Sequence, residues 1–234
     1  MDKVLRKELK TDEVAVATEH TLEYVAGHKK DFTRYGIIAA VVLVAAGLGA
    51  WMWQSRTEER RQALSQLLAI KEATIGPEAA QGAVKAFPTE GARDKALTEG
   101  IDKLVAQYGG SDEAQVAEYY RGVMKGDKGD LAAARKSFEA VAGSGSDYGS
   151  LAKYSLAGLH AAEGRMAEAE KLYRELIARP TPLVSADQAT IDLARMLKNT
   201  RPEETRKLVE PLRGARGALA RTAVALLSET EKKK

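Results

Sequence analysis

The sequence contains no cysteine. That excludes disulfides, thiol nucleophiles, cysteine-ligated zinc and lipidation on cysteine, and it leaves the redox compartment open. Histidine is scarce, with three in 234 residues. His20 and His28 stand eight apart, not at the i, i+4 spacing that converges on a metal. There is no Ser/His/Asp set and no metal-spaced His/Glu cluster. The Gly109-Gly110 and Gly143-Ser144-Gly145-Ser146 clusters lack the Lys-Thr or Lys-Ser that a phosphate cradle needs, and they read as connections between helices. The chain is therefore expected not to be an enzyme and to use no cofactor, no metal and no small-molecule substrate. An excess of one charge is also missing: 36 Lys+Arg face 33 Asp+Glu, interspersed, for a net charge of +3. This balance predicts no nucleic-acid face, which needs clustered bases. Glu231-Lys232-Lys233-Lys234 reads as a solvated end.

What the chain does have is one long apolar run, Tyr35 to Trp53, with no charge in nineteen residues. As a helix it reaches roughly 28 Å at about 1.5 Å per residue, close to the ~30 Å hydrocarbon core of a bilayer. A buried helix of a soluble domain would show a polar face, and Gly36 to Ala50 shows none. A cleaved signal has a short basic start, whereas 34 residues precede this run and Trp51, Met52 and Trp53 occupy its exit. Those tryptophans, with Tyr35, suit the two interfacial belts. A single uncleaved transmembrane helix over 35–53 is expected, with the lipid bilayer as a partner. Ala45 and Gly49 lie four apart, a small-xxx-small spacing that lets another membrane helix approach. Lys29, Lys30 and Arg34 before the run nearly balance Arg56, Arg60, Arg61 and Lys71 after it. Charge therefore leaves the orientation open.

Residues 1–34 form a polar tail. Val14, Ala17 or Thr18, Leu22 and Val25 fit a short amphipathic helix from Asp12 to Ala26, and a disordered tail fits equally. After Trp53 a charged helix over 54–76 is expected up to Gly76-Pro77. Its Leu64, Leu67, Leu68 and Ile75 form an apolar stripe that packs on the next domain or on a partner helix.

Past Pro77, helical pieces alternate with Gly, Pro and Ser clusters, with little strand signal. An internal period appears there. Gly129, Ala134 and Phe138 match Gly164, Ala169 and Tyr173, each 35 residues on, and Gly122 matches Ala157. The pattern resembles the tetratricopeptide repeat, two antiparallel helices per ~34 residues. A turn glycine permits the reversal, a small residue lets the partner helix close in, and an aromatic one turn later fills the gap to the next hairpin. A weaker third copy places Thr205 at the small position and Val209 at the aromatic one. Upstream, Ala96 to Tyr108 and then Ser111, a candidate N-cap, lead into Tyr119-Tyr120-Arg121-Gly122. Arg121 and Lys125 stand where such repeats favour apolar or aromatic residues, so this helix is expected to be more exposed than usual. Ala218 to Glu229 suits a C-terminal cap. The fold expected is all-α: one transmembrane helix, then a tetratricopeptide-repeat α-solenoid over 77–234.

A short tail, one span ending in Trp-x-Trp, a charged helix and then these repeats together resemble the YfgM family, ancillary partners of the SecYEG translocon in the bacterial inner membrane. The resemblance implies a cytoplasmic N-terminus and a periplasmic repeat domain. It also implies contact with translocon subunits, a membrane-anchored periplasmic chaperone and exported clients. A structural subunit of another envelope assembly (outer-membrane biogenesis, cell division, a pilus or secretion apparatus) is the alternative.

Stacked hairpins present their first helices on one concave side. The repeat register puts Tyr119 and Tyr154 there, with Asp187, Thr190 and Lys198 from the third copy. Tyrosine joins an apolar body to a polar tip and so suits peptide contact, although it also packs between helices. The lysine-asparagine clamp for a C-terminal carboxylate is missing, which favours broad apolar or helical contacts. His160 falls on a first helix, at a position that packs.

Overall fold

The computed structural model describes residues 29–76 and 86–231. The expected helix over 12–26, His20, His28 and Lys232 to Lys234 lie outside them. The described chain is mostly helical. It divides into two compact units, one ending at Glu59 and one running Arg60–Lys234.

Helix α1 spans Lys29–Lys71. In the first unit every residue from Ile37 to Gly49 is exposed, and Leu43 retains 73% of its surface. This stretch carries no polar face. It is long and apolar enough to cross a membrane, by length and composition.

The second unit begins on the last turns of α1. The helix ends at Lys71, short of the expected Gly76. Thr74–Ile75 forms strand β1 and pairs in parallel with Ala86–Phe87, β2. The strand signal past Pro77 was too short to read, because two residues carry no alternation. Ile75 accordingly leaves the helical stripe and is 47% exposed, while Leu67 is 2% exposed. Leu67 sits in a core with Leu97, Ile101, Leu104, Ala117 and Met124. The charged helix therefore ends inside the repeat unit and not beside it.

From there helices alternate in direction: α2 Glu90–Tyr108, α3 Asp112–Asp127, α4 Leu131–Ala142, α5 Asp147–Ala162, α6 Met166–Ala178, α7 Ala186–Leu197 and α8 Pro202–Val209. A short 3-10 helix, Glu210–Gly214, leads to α9, Ala218–Glu231. Side-chain caps fix the starts. Ser111 Oγ accepts from Ala114 N at 3.2 Å, and Thr89, Asp130, Ser146 and Ser185 do the same on α2, α4, α5 and α7. The reversals fall at Gly129 and Gly164, both with φ +78°, a backbone that an L side chain rarely adopts.

The repeat register is a packing register. Ala134, Ala169 and Thr205 are each 0% exposed, and Phe138, Tyr173 and Val209 lie at 6% or below. Thr205 replaces alanine because its hydroxyl donates to the carbonyls of Ala194 at 3.3 Å and Arg201 at 3.1 Å. Opposite Phe138 stands Gly122, where an added Cβ would come within 2.5 Å of the ring. Arg121 does not loosen its helix: it pairs with Asp102 of α2 at 2.8 Å and with Glu118 at 3.2 Å.

Two glycines separate packing from propensity. Gly122→Ala and Gly158→Ala both gain about 0.5–1 kcal/mol of helix propensity. Only Gly122 faces a ring; around Gly158 nothing lies within 4 Å. Thermal melting followed by circular dichroism is expected to show Gly158→Ala stabilised by roughly that amount. Gly122→Ala is expected to be destabilised by about 1 kcal/mol or more, since overpacking costs ~1–3 kcal/mol.

Candidate protein-binding face

Within the second unit the first helices are the Arg60–Lys71 turns of α1, then α3, α5, α7 and α9. Neighbouring first helices are tied by side chains. Arg60 pairs with Glu113 at 3.2 Å, and Lys71 Nζ lies 4.8 Å over the Tyr120 ring. Ser146 Oγ donates to Gln115 Oε1 at 2.8 Å, and Tyr119 meets Tyr148 edge-on with ring centroids 5.5 Å apart. Tyr154 donates to Asp192, and Lys198 pairs with Glu229 at 2.7 Å. These contacts join α1 to α3, α3 to α5, α5 to α7 and α7 to α9 in one continuous row. The second helices are stitched separately: Arg201 and Arg174 hold Glu170, and Arg174 also holds Glu204. The Arg201 hydrogen bond is the main reason the Glu170 carboxyl lies below its usual range.

The expected site residues fall into three situations. Tyr119 is half-buried, its ring 5.6 Å from Phe138 and 5.7 Å from Tyr120, so it packs between helices. Tyr154 is half-buried against Tyr173 at 6.1 Å, and its hydroxyl reaches across to α7. That hydroxyl donates to Asp192 Oδ2 and accepts from Gln188 Nε2 at 3.3 Å, while Gln188 also donates to Asp192 at 3.0 Å. Arg195 closes the cluster on Asp192, with just over half its side chain exposed. Asp187 is exposed in the first turn of α7, Thr190 Oγ1 donates back to Ala186 O at 2.8 Å, and Lys198 is held by Glu229. Tyr119 and Tyr154 serve different helix junctions and do not meet.

Gln188, Asp192 and Arg195 were missed in the sequence. Their signal was there: spacings of four and three put them on one face of α7. Tyr120 and Tyr148 were missed because the repeat register marks one position per helix and they stand beside it. Ala45 and Gly49 lie a turn apart on exposed α1, and a Cβ on Gly49 would meet nothing within 4 Å. His160 is half-buried on α5, and desolvation holds its pKa below the ordinary value.

Beside the row, a cavity of about 300 Å³ has Leu97, Tyr120, Val123 and Met124 on its walls. Lys128 and Asp94 meet at 2.7 Å on its rim, and that hydrogen bond chiefly holds the Asp94 carboxyl low.

A family profile described as a tetratricopeptide repeat-like domain matches residues 29–178. The chain belongs to this family. No curated protein and no solved structure gives a match. Tetratricopeptide repeat-like domains generally mediate contacts between proteins, and the chain's repeats are a protein-binding scaffold of that kind.

Burial, with the neighbouring Asp192, pushes the Tyr154 hydroxyl up to about 12, and burial beside Tyr120 does the same to Tyr148. Both phenols are raised above their unfolded value near 10. Their contribution to stability is thus full below pH ~10 and is lost as pH rises toward ~12. In an alkaline titration read by phenolate absorbance, a late-ionising fraction is expected. Tyr154→Phe should shrink that fraction while leaving the helical signal at neutral pH unchanged.

Proposed function

We propose that the chain is a membrane-anchored scaffold or chaperone accessory of the bacterial inner membrane, similar to the YfgM family. Its repeat unit would hold translocon subunits, a membrane-anchored chaperone or exported clients. The reading makes the N-terminus cytoplasmic, the repeat unit periplasmic and the chain a binder with no reaction of its own.

The observation that supports anchoring is the uninterrupted exposure of Ile37 to Gly49. Apolar surface costs about 25 cal/mol per Å² in water, and only a lipid or protein cover removes that cost. The exposed Trp51 and Tyr35 would then sit at headgroup depth. An anchor also raises the local concentration of the first-helix row beside membrane machinery, so modest contacts suffice. Tyr154, Gln188, Asp192 and Arg195 supply such contacts, with one apolar ring and a charged, partly exposed edge.

Fractionation tests the anchor: the full chain is expected to stay with membranes through an alkaline carbonate wash, and deletion of 35–53 to release it. Release of the intact chain would refute anchoring. A reporter active only after export, fused to the C-terminus, is expected to be active; an inactive fusion would reverse the topology. Co-purification with translocon subunits supports the proposed partners, whereas recovery of subunits of another envelope assembly replaces them.

A further inference from the structure

The first three of the four junctions between first helices are not filled alike. The register that aligns Tyr119, Tyr154 and Thr190 also aligns Glu113, Tyr148 and Val184. Between α3 and α5, Tyr148 fills the wedge against Tyr119 and Tyr120. Between α5 and α7, Val184 does so at 3% exposure, in a core with Ala157 and Ala189. Between α1 and α3 the equivalent residue is Glu113, which turns to Arg60 at 3.2 Å. The packing at this junction comes instead from Leu64 and Leu67 of α1 with Ala114 and Ala117 of α3, none of them at the Glu113 position. A groove of about 790 Å³ remains.

Its floor is apolar: Leu64, Leu68 and Ala69 of α1 face Val116 of α3. Leu67, on the adjacent face of α1, is committed to the core. Leu64 packs against that core from the groove side, while Leu68 and Ala69 stay half-buried along the groove. The rim is acidic, with Glu72, Asp112 and Glu113 against Arg61 among the described lining residues. Glu72 and Asp112 are exposed. The groove follows α1 from Arg61 to the helix end at Lys71, about 15 Å or nearly three turns at ~1.5 Å per residue.

We propose that this groove docks an amphipathic helix of a partner protein, about three turns long, with an apolar face and flanking lysines or arginines. The apolar face would complete the wedge that Tyr148 and Val184 complete elsewhere, in the helix-in-groove mode. The flanking cations would meet Glu72 and Asp112, which makes the site selective by charge as well as by shape. This inference rests on the protein-binding reading and specifies one of its surfaces.

The probe is a fluorescent synthetic peptide of about fifteen residues, with leucines at i, i+3, i+4 and i+7 and lysines flanking them. Binding is read by anisotropy on the full chain in nanodiscs of zwitterionic phosphatidylcholine, which carry no net charge. Leu68→Asp is expected to weaken binding at least about tenfold, and Glu72→Lys about threefold or more. The same peptide with glutamate for lysine should bind about tenfold less tightly. Glu72 is exposed beyond the end of α1, so Glu72→Lys decides the matter if Leu68→Asp fails to fold. Unchanged affinity in the folded variants, or equal affinity for both peptides, overturns the proposal. So does self-association abolished by Glu72→Lys without peptide binding, which would make a second copy the occupant. Native partners recovered equally by wild type and both folded variants would remove the groove and leave the scaffold reading standing.

Discussion

The second unit depends on one constraint: inside each hairpin a small residue must face a large one. Ala134, Ala169 and Thr205 have no exposed surface, and each is followed one turn later by Phe138, Tyr173 or Val209. Gly122 gives the constraint its sharpest form, because the ring of Phe138 occupies the place of a Cβ. A helix pair this close has no room for a side chain to compensate, so helix separation is fixed by composition. That separation sets where the next hairpin can stack. The helix caps and the two turn glycines serve this arrangement by starting and stopping helices in step.

With the hairpins fixed, the first helices come side by side, and the wedge between each pair has to be settled residue by residue. Aromatic rings settle one junction, a valine and the Tyr154–Asp192 cluster the next, and a charge pair the first. The junctions thus differ in chemistry although the hairpins repeat. The small and large positions of the repeat, Ala134, Ala169 and Thr205 with Phe138, Tyr173 and Val209, are committed to packing.

The sequence disclosed most of the fold through period. Matches at 35 residues located two hairpins, and the weak third copy is real because threonine satisfies its hydroxyl on two carbonyls. The end of α1 was misplaced because Leu68 and Ile75 keep helical spacing although the chain turns after Lys71. The candidate face was only partly legible. Repeat register gives the side of a helix on which Tyr119 and Tyr154 lie, but it does not give the depth of either ring. Depth depends on the neighbour across the junction: Tyr148 for Tyr119, Asp192 for Tyr154. The open groove is visible only when Glu113 is compared with Tyr148 and Val184 in space.

The ion pairs along the second helices, Arg174 with Glu204 and Arg201 with Glu170, have a mechanical consequence. They bind each hairpin only to the one beside it, as do the contacts along the first-helix row. Among the described residues cohesion is then a chain of adjacent links, with no clasp reaching from one end to the other. Pulled along its length, such a body stretches elastically at first. It then yields hairpin by hairpin from an end, keeping the remaining pairs folded under load.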